Sequence, residues 1–150
     1  MDGTNGASPS DIRPEVRAGR VLNYTYNHEI GPLDTPDQSK AAAVNAFFMV
    51  NWLHDWWYDS GFTEATHNAQ RDNFGRGGAA NDPLLVLAQA GANIGNRNNA
   101  NMSTPADGAR PRMRMYLWSA PTTTSLDGPT GTLASEATLM VKTTFCEPSG

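Results

Sequence analysis

TPDQSKAAAVNAFFMVNWLHDWWYDSG, residues 35–61, carries the strongest structural signal in the chain. Thr35 stands where a helix N-cap is expected, Pro36 at the first helical position and Gln38 at the third, the pattern of a capping box. Neither Gly nor Pro interrupts the run until Gly61. A glycine just past such a run is a stop, because it takes the left-handed backbone there without a steric penalty. The stretch predicts one helix over about 36–59, roughly 35 Å long at 1.5 Å per residue. Its Val, Phe, Leu and Trp residues spread over most of the circumference, so the expectation is a helix buried on several sides. A core that encloses such a helix is larger than 150 residues comfortably supply.

Outward from the helix the chain is less regular. Residues 1–34 are rich in Gly, Pro, Asp and Asn and read as an irregular lead-in. The alternating run from Arg20 to Tyr26 is expected to form an edge strand within it. After Gly61, glycine and asparagine dominate as far as Asp107, broken by the apolar run from Pro83 to Ala88, a composition that favours turns and short strands. Residues 112–118, RMRMYLW, alternate strictly: Met113, Met115 and Leu117 face one way, and Arg112, Arg114, Tyr116 and Trp118 the other. Ser, Thr and Gly rise from Ser119 onward, with Leu139-Met140-Val141 as one further strand candidate. The fold class is α+β.

The bulk properties narrow the partners. A net charge of -4 and a pI near 5.2 give no electrostatic reason to expect nucleic acid or an anionic membrane. No stretch approaches the roughly 18 consecutive apolar residues of a membrane span. The opening MDGTNGASPSD lacks the basic and apolar regions of a signal peptide, so the expectation is a cytosolic chain or an internal piece of a longer precursor. Cys146 has no partner cysteine in the chain, which leaves a free thiol or half of a bridge.

Candidate chemical groups are few. His28-Glu29 begins like the zinc-protease motif H-E-x-x-H, in which histidines one helical turn apart chelate one ion. Here Pro32 stands in place of the second histidine and disfavours helix at Gly31, so the pair reads as a solvated loop dipeptide. Asn51, His54 and Tyr58 share a helical stripe with Asp55 adjacent, which fits a base or ligand, or, as the preferred reading, a satisfied polar network in the core. The loop around His67 has the oxygen-rich composition that calcium takes, without the spacing of an EF-hand, and a loop hydrogen-bond network is the preferred reading. Asn73 to Gly78, NFGRGG, lacks the Lys-Ser/Thr of a phosphate loop. Arg112 and Arg114 among aromatics suit single-stranded nucleic acid, against the sign of the net charge. Spacing alone yields no catalytic residue and no metal ligand.

Read together, NAFFMVNWLHDWWYDSGF (45–62), NAQRDNFGRGG (68–78), NDP (81–83) and NNANMSTPADGARPRMRMYLW (98–118) resemble the fungalysin family, in the family's order and over roughly residues 35–118. Gly3-Thr4-Asn5 is similar to the start of the family's mature enzymes. These are secreted zinc endopeptidases related in fold to thermolysin, in which zinc polarises the scissile carbonyl and a Glu activates water. The resemblance implies that the helix and the strand at 112–118 belong to the N-terminal lobe of a thermolysin-like metalloprotease domain. It also implies a protein or peptide substrate, a propeptide in the precursor, and zinc as cofactor, with any calcium unassigned. Asn98-Asn99-Ala100 resembles the edge of the thermolysin-like cleft, where an Asn side chain and the following backbone hold an extended peptide as an added strand. Asn99 and Ala100 are the leading substrate-binding candidates, followed by Asn98 and Asn101.

The residues after Trp118 depart from the family pattern. They contain no histidine, so no zinc ligand or catalytic Glu is carried onto this chain. The expectation is an N-lobe part of the enzyme, inactive alone, divided into a lead-in (1–34), the partial catalytic lobe (35–118) and a tail (119–150). Gly131-Thr132-Leu133 with Cys146 resembles the opening of an inserted protease-associated domain. Two rivals remain: a non-catalytic extracellular module that binds carbohydrate or protein, and an inactive regulatory paralogue.

Overall fold

A computed structural model describes residue 8 and residues 10–119. The expectations for Gly3-Thr4-Asn5, the inserted domain, the strand at Leu139-Met140-Val141 and Cys146 lie outside the described residues.

The long helix, α1, runs from Pro36 to Asp59. Its end is a Schellman arrangement: Gly61 takes a φ of +103°, the Gly61 amide donates to the Tyr58 carbonyl, and the Phe62 amide donates to that of Trp57, each at 3.0 Å. Its beginning differs from the expected capping box, because Thr35 makes no side-chain cap bond. Gln38 turns instead to the lead-in, accepting from the Asn27 amide at 2.8 Å and donating to the Asn27 carbonyl at 2.7 Å. A primary amide can donate and accept at once, so it matches both groups of one residue, whereas a cap would use only its acceptor. Gln38 is 1% exposed in this position.

Three short strands follow: β1 (Leu85–Ala88), β2 (Ala100–Ser103) and β3 (Arg112–Met115). They form one sheet in the order β1-β3-β2, with β3 parallel to β1 and antiparallel to β2. The strand expected over 112–118 stops at Met115. Beyond it only an isolated bridge joins Leu117 to Arg97. All four residues of β3 are half-buried, which suits a central strand paired on both edges. The core is the seam between α1 and β1, where Ala41, Ala42 and Met49 join Leu87, Ala88, Ala90, Ala92 and Leu117. Alanine dominates the seam and lets helix and sheet approach closely. Gln89 fastens it, accepting from the Ser39 hydroxyl at 2.8 Å and donating to the Pro32 carbonyl at 3.2 Å.

Two expectations are corrected here. The run from Arg20 to Tyr26 forms no strand, apart from a single bridge between Arg17 and Val21 around a turn. Side chains replace the ladder: the Tyr24 hydroxyl donates to the Glu15 carbonyl at 2.9 Å and accepts from the Glu15 amide at 3.1 Å, and the Arg17 guanidinium sits 4.2 Å over the Tyr24 ring. Nor is α1 buried on several sides among the described residues. Phe47, Phe48, Trp52, Trp56 and Trp57 are between 41% and 58% exposed, because a sheet of four-residue strands covers one flank of a helix this long.

Candidate functional site

The four asparagine-rich candidates lie at the outer edge of the sheet, where, among the described residues, β2 pairs with β3 on one side only. The chain enters this edge through Asn98, whose φ of +57° lies in the left-handed region that asparagine enters more readily than most residues. Its amide donates to the Leu117 carbonyl at 2.8 Å. Its side chain accepts from the Ser119 amide at 2.7 Å and donates to the Ser119 hydroxyl at 3.2 Å. Asn99 comes next, and its carbonyl accepts from the Tyr116 amide at 3.1 Å. Antiparallel pairs alternate between bonded and non-bonded residues, so the backbone groups of Ala100 and Met102 turn away from β3. Asn99, Ala100 and Met102 are exposed. Asn101 is half-buried and faces Arg114 in the register, and its side chain joins Arg114 at 3.1 Å to the Tyr116 hydroxyl at 3.3 Å. Among the candidates, therefore, Ala100 turns its backbone outward, Asn99 bonds inward through its carbonyl but is exposed, and Asn98 and Asn101 bond inward through their side chains.

The other chemical candidates occupy different places. His28 and Glu29 are exposed in a turn that the Asn27 side chain closes on the Glu29 amide at 2.9 Å. His54 and Asp55 do not form the satisfied core network expected of them. Asp55 is 87% exposed in its side chain, 3.6 Å from His54, and the buried Nε2 of His54 has no hydrogen-bond partner among the described residues. Consecutive helical residues point about 100° apart, so His54 and Asp55 cannot share one buried face.

The polar network sits one turn further along and is centred on Glu64, a residue the sequence reading passed over. Glu64 is 2% exposed and its carboxylate accepts from Tyr58 at 2.8 Å, Gln70 at 2.9 Å and Arg76 at 3.2 Å. Burial pushes this carboxyl up, but its own backbone amide and the bonds from Tyr58, Gln70 and Arg76 outweigh burial and hold it below its ordinary value. It joins the end of α1 to the NFGRGG loop, which identifies that loop as a structural brace. The resemblance-bearing blocks HDWWYD, NAQRD and NFGRGG each contribute a partner, a signal recoverable only by pairing the blocks.

The NDP and PADG blocks also meet. Asp107 accepts from the Ala79 amide at 2.6 Å and pairs with His67 at 2.8 Å, while Asp82 accepts from the Gly108 amide at 3.2 Å. The Ala79 amide is the leading cause that holds the Asp107 carboxyl low, opposed by burial and aided by His67 and Gly108. One oxygen each of Asn68, Asn73, Asp82 and Asp107 is buried without a hydrogen-bond partner among the described residues. Such oxygens are of the class calcium takes. Among the described residues, however, no three His, Cys, Asp or Glu side chains converge. They do not compose the three- or four-ligand set that zinc requires.

Residues 2–134 match the profile of the fungalysin metallopeptidase (M36) family. The chain is 42% identical over 114 residues to extracellular metalloproteinase 2 of Trichophyton tonsurans, covering 75% of this chain and 17% of the relative. It is 40% identical over 121 residues to extracellular metalloproteinase 2 of Arthroderma gypseum, covering 79% and 18%. With the extracellular metalloproteinase mep of Aspergillus flavus it shares 39% over 97 residues, covering 65% and 15%. The chain thus spans about one-sixth of the length of these curated relatives.

Proposed function

The chain belongs to the fungalysin metallopeptidase family, and on that premise we propose that it forms part of a secreted, zinc-dependent metalloendopeptidase. In this reading it is the N-terminal part of a thermolysin-like domain and supplies one cleft wall and the edge that holds an extended peptide. The observation that carries the proposal is the outward-turned backbone of Ala100 and Met102 on the edge of β2 that is unpaired among the described residues, beside the exposed Asn99. A peptide that adds as a further strand satisfies those donors and acceptors and is held straight for hydrolysis. Zinc, when bound in the intact enzyme, supplies the Lewis acidity for cleavage. The residues described here do not fit its ligand set, and their part is to bind and orient the peptide. A propeptide in the precursor and secretion follow from the same reading.

Replacing Asn99 with alanine in the intact protease is expected to lower kcat/KM for an extended peptide about tenfold, the equivalent of one directed hydrogen bond at about 1.4 kcal/mol. The loss should fall mainly on KM, and an unchanged value removes Asn99 from the site.

The exposed aromatic residues of α1 belong to the same reading. Phe47, Phe48, Trp56 and Trp57 are each at least half exposed and point to different sides of the helix, and in this reading the rest of the longer protease covers them. Purified alone, the 150-residue chain is expected to show no chelator-sensitive proteolysis and to bind an apolar fluorescent dye. Chelator-sensitive cleavage by the isolated chain, or a sharp thermal transition with a high midpoint, overturns this.

A further inference from the structure

We infer that Asn101 is a positioning residue, which sets the peptide-binding edge without itself touching the peptide; the inference rests on the reading of β2 as that edge. Alternation along the strands places Asn99, Asn101, Arg114 and Tyr116 on one face of the sheet. Arg114 stands directly across from Asn101, and Tyr116, one residue past β3, is its diagonal neighbour, both within side-chain reach in an antiparallel pair. The Asn101 carbonyl oxygen accepts from the Arg114 guanidinium at 3.1 Å, and its amide nitrogen donates to the Tyr116 hydroxyl at 3.3 Å. Both ends of the side chain are thereby engaged on the protein. Tyr116 is also the residue whose backbone amide bonds the Asn99 carbonyl at 3.1 Å. The same residue, just past the end of β3, thus grips the edge segment twice, by backbone at Asn99 and by side chain at Asn101. On the other flank, Asn98 is fixed by its two side-chain bonds to Ser119. Ala100 lies between these anchors, and its outward N–H and C=O are aimed by them. An edge strand is held on one side only, so side-chain anchors take over the stiffening that a second neighbouring strand supplies elsewhere.

The test uses the intact protease with Asn101→Leu, Asn101→Asp and Tyr116→Phe, and two substrates, a hexapeptide that spans the edge and a blocked dipeptide that does not. Leucine keeps the volume and removes both bonds. Aspartate keeps both, since a carboxylate accepts from arginine and from a tyrosine hydroxyl. Asn101→Leu and Tyr116→Phe should each lower kcat/KM for the hexapeptide about fivefold, through KM, as expected for one net hydrogen bond. The dipeptide should be cleaved at the unaltered rate, and Asn101→Asp should stay within about twofold of the parent for both, well short of losing that bond. Equal losses on both substrates, an aspartate variant as impaired as the leucine one, or no loss in the leucine variant would each overturn the inference. A second readout needs no catalysis. Hydrogen exchange at the Tyr116 and Asn98 amides should quicken about fivefold in Asn101→Leu and not in Asn101→Asp. Unchanged exchange overturns the positioning role whatever the kinetics. If exchange responds as expected while the parent cleaves no peptide, the proposed function falls and the anchoring of β2 stands.

Discussion

Replacing Gly78 with alanine destabilises the protein by roughly 3 kcal/mol, combining an overpacking clash with an L-residue held in the left-handed region. Gly78 has a φ of +63°, and a Cβ built on it lands on the carbonyl oxygen of Glu64 and 3.1 Å from the side-chain nitrogen of Asn73. Neither neighbour is free to retreat. The Glu64 carbonyl begins the short 3-10 turn Glu64–Thr66 and accepts from the His67 amide at 3.2 Å, while Asn73 is bonded to the Gly77 carbonyl at 2.8 Å. The next residue, Ala79, donates its amide to Asp107, so displacement of the loop also loosens its contact with the PADG block. Gly75 provides the control. Its φ of +71° is similar, but nothing lies within 4 Å of its Cβ position. Gly75→Ala should therefore cost only about 1 kcal/mol, from backbone conformation alone. Urea denaturation of the two variants in the intact protein separates the terms. Equal destabilisation would show that the close approach of the 77–79 loop to Glu64 does not matter.

How much of this was legible in the sequence depends on how local each cause is. The bounds of α1 were readable because Pro36 and Gly61 act through their own backbone preferences. The partner of Gln38 was not, because Asn27 lies eleven residues away and no local rule prefers it to the cap. The Arg20–Tyr26 run alternates like a strand, yet alternation records only a two-sided environment, and here Tyr24 and Arg17 supply that environment without a ladder. The edge position of β2 depended on the order β1-β3-β2, a long-range property that the pattern of residues 98–103 does not contain. The division of the four candidates into outward and inward residues needed the register of β2 on β3. His54 drew attention because histidine is chemically versatile. The residue at the centre of the network was Glu64, which is surrounded in sequence by small polar residues and carries no motif of its own.

Replacing Glu64 with glutamine is expected to lower stability at neutral pH and to remove much of its dependence on pH in the acid range. The folded state holds this carboxyl below its ordinary value, whereas the unfolded chain returns it to the usual carboxylate range near about 4.3. Between the folded and unfolded values the unfolded state binds the extra proton, so stability rises with pH across that window. The contribution is fully present above the unfolded value and disappears as pH falls through the folded one. Glutamine has nearly the same shape but cannot take part in this exchange. It also presents an N–H₂ group to a site where Tyr58, Gln70 and Arg76 all donate, so one of these bonds is lost or, at the Tyr58 hydroxyl, has to reverse. The gap in Tm between parent and Glu64→Gln should be widest near pH 7 and should narrow steadily below about pH 4, where the carboxyl of the unfolded chain takes up its proton. Glu64→Ala should lose more than glutamine at every pH, because it removes the shared acceptor of Tyr58, Gln70 and Arg76 at once. The Asp107 carboxyl, also held low, is untouched by either change, so a residual acid slope remains in both variants. A gap that stays constant from pH 7 to pH 3 would mean that Glu64 acts by shape alone, and that its charge does not brace α1 against the NFGRGG loop.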